Sequence, residues 1–343
     1  MKELQTYVTG TKAATVSLIL LATIAVAFVL YILKPILIPF LIAVMLSYIL
    51  YPFVERLSKY KIPRIITLLV VFLIALGALG KIVEILISNI ISLSGNFPEY
   101  KTQFSALLND YSLQYPWLES ILENIKGMLF SLPIGGYTNS LINSSVNFFS
   151  NTFLILLFVT YLVLSIHSYP AKIQKAFSGT KGTYILKVWS DINRDIRKYL
   201  DIHTLISLAT GISVGLVCWL FGVPFAFLWG FLAFVLNYIP TIGSIVASIP
   251  PVITAAVVLG IYPAIWVTVL MIVIQLIWGN IVEPKFAGKS LGLSSLTILL
   301  SLVFWGWLWG IVGTILAVPI ASMIKIICEN IDALKPISEL MGD

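Results

Sequence analysis

The chain has 343 residues, of which 59% are hydrophobic and 10% are charged, with a formal net charge of +6. Soluble domains carry about 25% charged residues because they need a wetted surface, so this composition excludes a soluble globular protein. The longest uncharged run separates Asp201 from Glu283 and has 81 residues, which only a lipid environment accommodates. The sequence therefore predicts an all-α, polytopic membrane protein whose partner is the lipid bilayer. No nucleic acid is expected, because the basic residues lie between the apolar runs.

Three transmembrane helices are predicted in the N-terminal part of the chain. Uncharged runs place the first over about Ala13–Leu33 and extend the second to about Phe53. The first run is longer than the apolar core of a signal peptide, so we expect it to be retained as a span. The third begins at Ile65 and should continue as a helix past the membrane, since Lys81 and Glu84 form an i,i+3 pair near its far end.

The segment 94–145 differs from its neighbours because prolines alternate with polar and aromatic residues. Apolar positions at helical spacing in Tyr100–Leu108 and Trp117–Leu129 predict short amphipathic helices, lying on the membrane or on a neighbouring subunit. A fourth span follows over about residues 146–168. The next stretch, Tyr169–Leu200, is the most polar part of the chain and carries seven Lys or Arg residues.

Basic residues concentrate on one side of the predicted membrane. The stretches Glu55–Arg64 and Tyr169–Leu200 are separated by two spans and therefore lie on the same side. The positive-inside rule identifies this side as cytoplasmic and places the N- and C-termini there as well. A fifth span then begins near His203.

After the fifth span, the chain is interrupted where an ordinary span would continue. Two short apolar arms, Pro224–Asn237 and Ser244–Leu259, flank a break at Asn237–Gly243. Proline lacks a backbone donor and disfavours helix at the preceding residue, so Pro240 should end the first arm. This pattern predicts a helix–break–helix hairpin, followed by a full span over about Pro263–Asn280.

A second interruption follows that span. The arms Leu293–Trp305 and Ile311–Ile327 flank the glycine- and tryptophan-rich break Gly306–Gly310. If the fifth span leaves the cytoplasm, the first hairpin starts and ends outside and the second starts and ends inside. Two re-entrant hairpins of this kind would form an inverted repeat, the arrangement that secondary transporters use to hold substrate near the midplane.

Backbone that stops being helical inside a membrane frees N–H and C=O groups, which must then face protein or a wet cavity. The breaks and the polar residues of the span between them are therefore candidates for substrate binding or gating. The alternative for the glycines is close helix packing, and for the polar residues a hydrogen bond between helices. The candidates are Asn237, Pro240, Thr241, Gly243, Gln275, Asn280, Gly306, Gly310 and Gly313.

These motifs resemble the autoinducer-2 exporter (AI-2E) transporter family. The resemblance rests on Asn237–Gly243, Gln275, Ile281–Gly288 and the glycine signature within Gly306–Pro319. It implies a bacterial inner-membrane transporter of about eight spans, often a homo-oligomer. Some members export autoinducer-2, the quorum-sensing signal, and others resemble sodium(lithium)/proton antiporters in activity. Ser295 stands where the family pattern has proline, which should loosen the start of the second hairpin.

Two transport functions remain as alternatives. The first is export of a small polar solute, similar to autoinducer-2, by alternating access. The second is exchange of a monovalent cation for a proton, which needs a titratable group; Glu283 and Asp201 are the candidates. The alternative for Glu283 is an interfacial ion pair with Lys285 or Lys289.

A third alternative is a non-transport membrane scaffold that acts through residues 94–145. An enzyme is not expected, nor a cofactor or a metal, because the sequence shows no Ser/His/Asp arrangement, phosphate-binding loop or metal-ligand cluster. The predicted organisation is transmembrane helices in 1–93, an extracytoplasmic amphipathic segment in 94–145, a fourth helix with a basic cytoplasmic segment in 146–200, a transport core in 201–328 and a cytoplasmic tail in 329–343.

Overall fold

The computed structural model describes residues 2–58, 64–114, 120, 123–124, 127, 152–166, 168–177, 179–239, 242–287 and 292–342. Within these ranges the chain is helical, and no β-strand occurs beyond one isolated bridge. The all-α prediction is confirmed. The elements are α1 (Lys2–Ile32), α2 (Lys34–Ser58), α3 (Arg64–Gln114), α4 (Thr152–Ser165), α5 (Tyr169–Ala176), α6 (Gly179–Leu220), α7 (Ala226–Leu236), α8 (Ile242–Leu259), α9 (Ile261–Gln275), a π-helix (Leu276–Val282), α10 (Glu283–Ala287), α11 (Ser295–Glu329), a 3-10 turn (Asp332–Leu334) and α12 (Lys335–Met341).

The length and apolarity of the helices are those of a multi-pass membrane protein. Among the described residues, six helices are long and apolar enough to cross a membrane: α2, α3, α6, α8, α9 with its π-helical end, and α11. The bent pair α4–α5, which turns by 58°, could form a seventh span. Two shorter apolar helices accompany them, the second half of α1 and all of α7.

Helix α3 runs without interruption for 51 residues and contains Pro98. Its continuation as one helix beyond Lys81 and Glu84, which are paired at 3.0 Å, is confirmed. The prediction of a separate short helix over Tyr100–Leu108 is wrong, because this stretch belongs to α3. The apolar side chains of Phe104 and Leu108 are buried there, in a helix that packs against α7 and α8, which offsets the backbone hydrogen bond that proline removes.

Close packing between α6 and α7 places the first hairpin against the fifth span. A Cβ atom on Gly211 would lie 2.7 Å from the Gly230 carbonyl oxygen, and one on Gly230 would lie 2.7 Å from that of Gly211. Only glycine permits this approach. Helix α6 also begins at Gly179, so the basic stretch before His203 is helical and continuous with the span.

The second interruption is a reversal of the chain within α11. Gly310 has φ 67° and ψ −147°, while the residues on either side are helical. The Ser301 hydroxyl donates to the Ala317 carbonyl oxygen at 2.8 Å, although 16 residues of straight helix would separate them by about 24 Å. The two arms therefore fold back on each other at Gly310, and the helix continues through Gly306, where the break was predicted to start.

The C-terminal helix α12 packs against the start of α11. The Ser294 amide donates to the Met341 carbonyl oxygen at 2.9 Å, and Leu293 pairs with Gly342 in the isolated bridge. The Ser294 side chain caps α11 by accepting from the Thr297 amide. The start of the second hairpin is thus fixed by a cap and by the tail, so the loosening expected from the absence of proline is not seen.

Candidate functional site

The first break is tied to α6 by side-chain hydrogen bonds. The Asn237 amide donates to the Ser207 hydroxyl at 3.0 Å, and the Tyr238 and Thr204 hydroxyls are 2.9 Å apart. A Cβ atom on Gly243 would collide with the Leu236 carbonyl, so glycine permits the tight return of the chain. Asn237 therefore makes the inter-helix bond that was one of its two predicted roles. The candidates Pro240 and Thr241 lie outside the described residues.

His203 lies next to this break, and its side chain is only 3% exposed. The His203 ring stacks on Tyr199, with centroids 5.6 Å apart, and meets the edge of Tyr238 at 5.0 Å. Neither ring nitrogen has a hydrogen-bond partner in the described part of the chain. A buried imidazole without hydrogen bonds is unusual, because burying polar atoms without partners is unfavourable.

The side chain of Glu283, on α10, also lies close to His203. Its Oε1 lies 3.5 Å from His203 Nδ1, and the Glu283 side chain is 28% exposed. The predicted alternative for Glu283, a pair with Lys285, is not what the structure shows; Lys289 lies outside the described residues. The carboxylate is the first residue after the π-helix, whose wider turn shifts the register of the following side chains.

Two further hydroxyls, those of Tyr199 and Ser322, belong to the same buried region. They face each other, from α6 and from the second arm of α11, without the geometry of a full hydrogen bond. Tyr199 is 4% exposed and Ser322 is 2% exposed. We call the group of side chains formed by Tyr199, His203, Tyr238, Glu283 and Ser322 the polar chamber, a name for these residues and not for an open cavity.

The sequence of α6 contains a pattern that predicts this site. Four polar residues of α6 (Tyr199, His203, Ser207 and Thr210) follow one another at intervals of three or four residues, and each is at most 4% exposed. Such spacing places them on one face of a helix. A polar stripe on an otherwise apolar span indicates a face turned towards protein or solute and away from lipid.

The candidates of the second break lie at the tip of α11. The Trp309 indole donates to the Leu30 carbonyl of α1 at 3.1 Å, and a Cβ atom on Gly306 would lie 2.8 Å from the Thr314 hydroxyl. A Cβ atom on Gly313 would collide with the Trp305 carbonyl, so this glycine permits the two arms to touch. Glycine at these positions serves the reversal of the chain.

The two breaks belong to one hydrophobic cluster. Tyr238 of the first hairpin belongs to this cluster, as do Leu308 and Trp309 of the second hairpin and Met45 of α2. Gln275 is half-buried beside Gly279, at the start of the π-helix, and Asn280 is exposed. The structure therefore brings the two breaks together.

Comparison with known proteins identifies the transporter class. A model of the AI-2E family transporter matches residues 19–333. The chain belongs to the AI-2E transporter family. It is 32% identical to the AI-2 transport protein TqsA of Escherichia coli K12 over 90% of both chains. It is also 32% identical to a Borreliella burgdorferi protein named "Putative transport protein", over 89% of this chain and 84% of the relative. The Bacillus subtilis protein named "Putative transport protein YrrI" is 27% identical over 86% of both chains.

In this AI-2E transporter, Asp201 lies apart from the polar chamber. Two residues before His203, it faces roughly the opposite side of α6 and is 3.7 Å from Arg197. It lines a cleft of about 680 Å³ between α2, α5 and α6, which also contains Lys198 and Trp189. The two predicted coupling candidates are thus not brought together, and of the two only Glu283 is paired with His203.

Proposed function

We propose that the protein is a secondary transporter that exports a small polar solute of the autoinducer-2 type by alternating access. The observation that carries the proposal is the polar chamber beneath the first break, where buried side-chain atoms have no partner in the described protein. The transported solute is suggested by the name of the E. coli relative, an AI-2 transport protein, and the chemistry of the chamber supports it.

The chamber offers hydroxyl groups and an imidazole, with one carboxylate at its edge. An unsatisfied buried donor or acceptor costs about 1–3 kcal/mol, so these groups favour a ligand that supplies the missing hydrogen bonds. A small solute rich in polar groups fits this requirement. The side chains come from α6, α10, the first hairpin and the second arm of α11. Movement of either hairpin would therefore open or close the chamber.

We further propose about eight membrane-spanning segments, with α7–α8 and the two arms of α11 as re-entrant hairpins of an inverted repeat. The support is the chain reversal at Gly310, the break after Asn237 and the packing of the two breaks in one cluster. The basic segments then place both termini in the cytoplasm of a bacterial inner membrane. A homo-oligomer and a transport core in 201–328 belong to the same proposal.

Two alternatives from the sequence are not proposed. Cation/proton antiport receives no support from the relatives named above, which are transport proteins or an autoinducer-2 transporter. A scaffold acting through residues 94–145 gains no support either, because residues 94–114 form the continuation of a membrane helix.

The proposal is tested by removing, one at a time, the two hydroxyls of the chamber that face each other without a full hydrogen bond. Uptake of synthetic autoinducer-2 is measured in everted membrane vesicles, where export becomes uptake. Ser322→Ala and Tyr199→Phe should each reduce the rate about two- to tenfold, the effect of one lost solute hydrogen bond, without lowering the thermal stability of the purified protein. Removal of an unpaired buried hydroxyl does not weaken the fold.

Ser301→Ala is the matched control, since it removes a hydroxyl that makes its hydrogen bond. It should lower the free energy of unfolding by about 1 kcal/mol. Native vesicles that take up no autoinducer-2, while remaining sealed, would overturn the solute assignment. Native transport rates in both chamber variants would show that the solute does not pass through the chamber.

A further inference from the structure

The pairing of His203 with Glu283 has a second consequence for the polar chamber. The two side chains come from α6 and α10, which are far apart in sequence, and their nearest atoms are 3.5 Å apart. The imidazole is almost completely buried, whereas the carboxylate is 28% exposed. The pair thus extends from the protein interior to the protein surface.

Histidine changes its charge between about pH 5 and pH 8. A neutral His203 leaves the Glu283 carboxylate without a cation at 3.5 Å, whereas a protonated ring forms an ion pair with it. A buried charge is tolerated when it is paired, so the proton and the carboxylate stabilise each other in this position. Binding of a proton at His203 therefore strengthens the contact between α6 and α10.

Two tyrosine rings contact the imidazole at this point. The face of the Tyr199 ring lies against the imidazole, an arrangement that attracts a cation, and the Tyr238 ring meets it edge-on. Ser322 contributes a neutral hydroxyl from α11. Within the described part of the chain, Glu283 is the one charged group that pairs with His203.

The same histidine touches the turn of the first hairpin. Tyr238 contacts the imidazole ring and is hydrogen-bonded to Thr204, the residue after His203. A charge that appears on the ring acts on Tyr238 and therefore on the position of the break. Proton occupancy and hairpin position are linked through this contact.

We propose that His203 and Glu283 form a proton-binding site that couples proton movement to solute transport. In the bound state, a proton taken from water resides on the imidazole, and the ring is paired with the ionised carboxylate. In the released state, the same proton has returned to water and the ring is neutral; no other bond is made or broken. The coupling rests on the proposed transport function, whereas the binding of the proton does not.

Proton binding can be measured directly because the chain has two histidines. Nuclear magnetic resonance of ¹⁵N-histidine-labelled protein in nanodiscs reports the charge of each ring, and His167→Gln assigns the signals. Spectra are recorded at about pH 5.5 and pH 8, on either side of the range in which histidine changes its charge. We expect the charged fraction of the His203 ring at about pH 5.5 to be smaller in Glu283→Gln than in the native protein, because the charged form has lost its partner.

A His203 ring that is never charged in this range, or one that is equally charged in the native and Glu283→Gln proteins, would overturn the proton site. Gel filtration of each variant in detergent verifies folding. This experiment needs no solute and remains decisive even if autoinducer-2 is not transported.

Coupling is measured by uptake of synthetic autoinducer-2 into everted vesicles at the same two pH values. The native rate should change between them, whereas the His203→Gln rate should not. Asp201→Asn is the matched control: it removes a titratable group on the opposite face of α6 and should retain the native pH dependence. If native vesicles transport the solute and His203→Gln keeps the full pH dependence, the coupling is refuted. If native vesicles transport nothing, the proposed function fails, and the histidine spectra alone decide the proton site.

Discussion

The substitution Gly310→Ala, which adds one methyl group at the second break, tests whether the chain reverses there. The backbone of Gly310 occupies φ 67° and ψ −147°, a region that is essentially restricted to glycine. A Cβ atom at this position would have no other atom within 4 Å, so alanine is strained by its backbone alone and not by a collision. We expect Gly310→Ala to lower the free energy of unfolding by about 1–3 kcal/mol.

The matched control is Gly80→Ala in α3. A Cβ atom there also has no neighbour within 4 Å, but the residue is an interior helical one with no positive φ. Alanine is favoured over glycine inside a helix by about 1 kcal/mol, so this variant should unfold at the native temperature or slightly above it. The two substitutions add the same atom to open space and differ in backbone conformation.

The assay is thermal unfolding of the detergent-solubilised variants, followed by tryptophan fluorescence. A backbone that relaxes at Gly310 also separates Ser301 from Ala317, so uptake of autoinducer-2 into everted vesicles should fall in parallel. If Gly310→Ala and Gly80→Ala unfold at the same temperature, the positive φ at Gly310 is refuted, together with the folding of α11 into two arms.

Two further perturbations test other parts of the structure. Gly230→Ala should lower the free energy of unfolding by about 1–3 kcal/mol, because its Cβ would lie 2.7 Å from a carbonyl oxygen of α6; thermal unfolding next to Gly80→Ala measures it. Hydrogen bonds from Lys335 and then Tyr184 lower the pKa of Asp332 below its usual range. The stabilisation of the tail by this exposed carboxylate is present above the unfolded pKa, near about 3.9, and is lost as the pH falls through the lower folded pKa. Proteolysis of the tail at mildly acidic pH should therefore be faster for Asp332→Asn than for the native chain, and equal rates would contradict this.

Local sequence signals located the hairpins. The predicted arm Pro224–Asn237 corresponds to α7, and Ser244–Leu259 to α8, with bounds that differ by at most two residues. Proline and glycine act on the backbone of their immediate neighbours, so the break after Asn237 could be read from adjacent residues. The second break was predicted as a five-residue stretch, whereas only Gly310 leaves the helical region.

Long-range packing overrode a local signal in α3. Proline is unfavourable inside a helix, yet the helix that contains Pro98 continues to Gln114. The loss of one backbone hydrogen bond is offset where buried side chains such as Phe104 hold the helix against the hairpin. This packing involves residues more than 100 positions away, which the sequence around Pro98 does not reveal.

The amino-acid sequence by itself determined the membrane environment, the helical class and the positions of the breaks, because apolarity and backbone chemistry depend on each residue and its neighbours. The tertiary structure alone decided that His203 meets Glu283. These residues are 80 positions apart, and nothing in either local pattern specifies a partner. Their distance is set by the folding of α7, α8 and α9 between them, and the electrostatic interaction of two ionisable groups depends on that distance and on their burial.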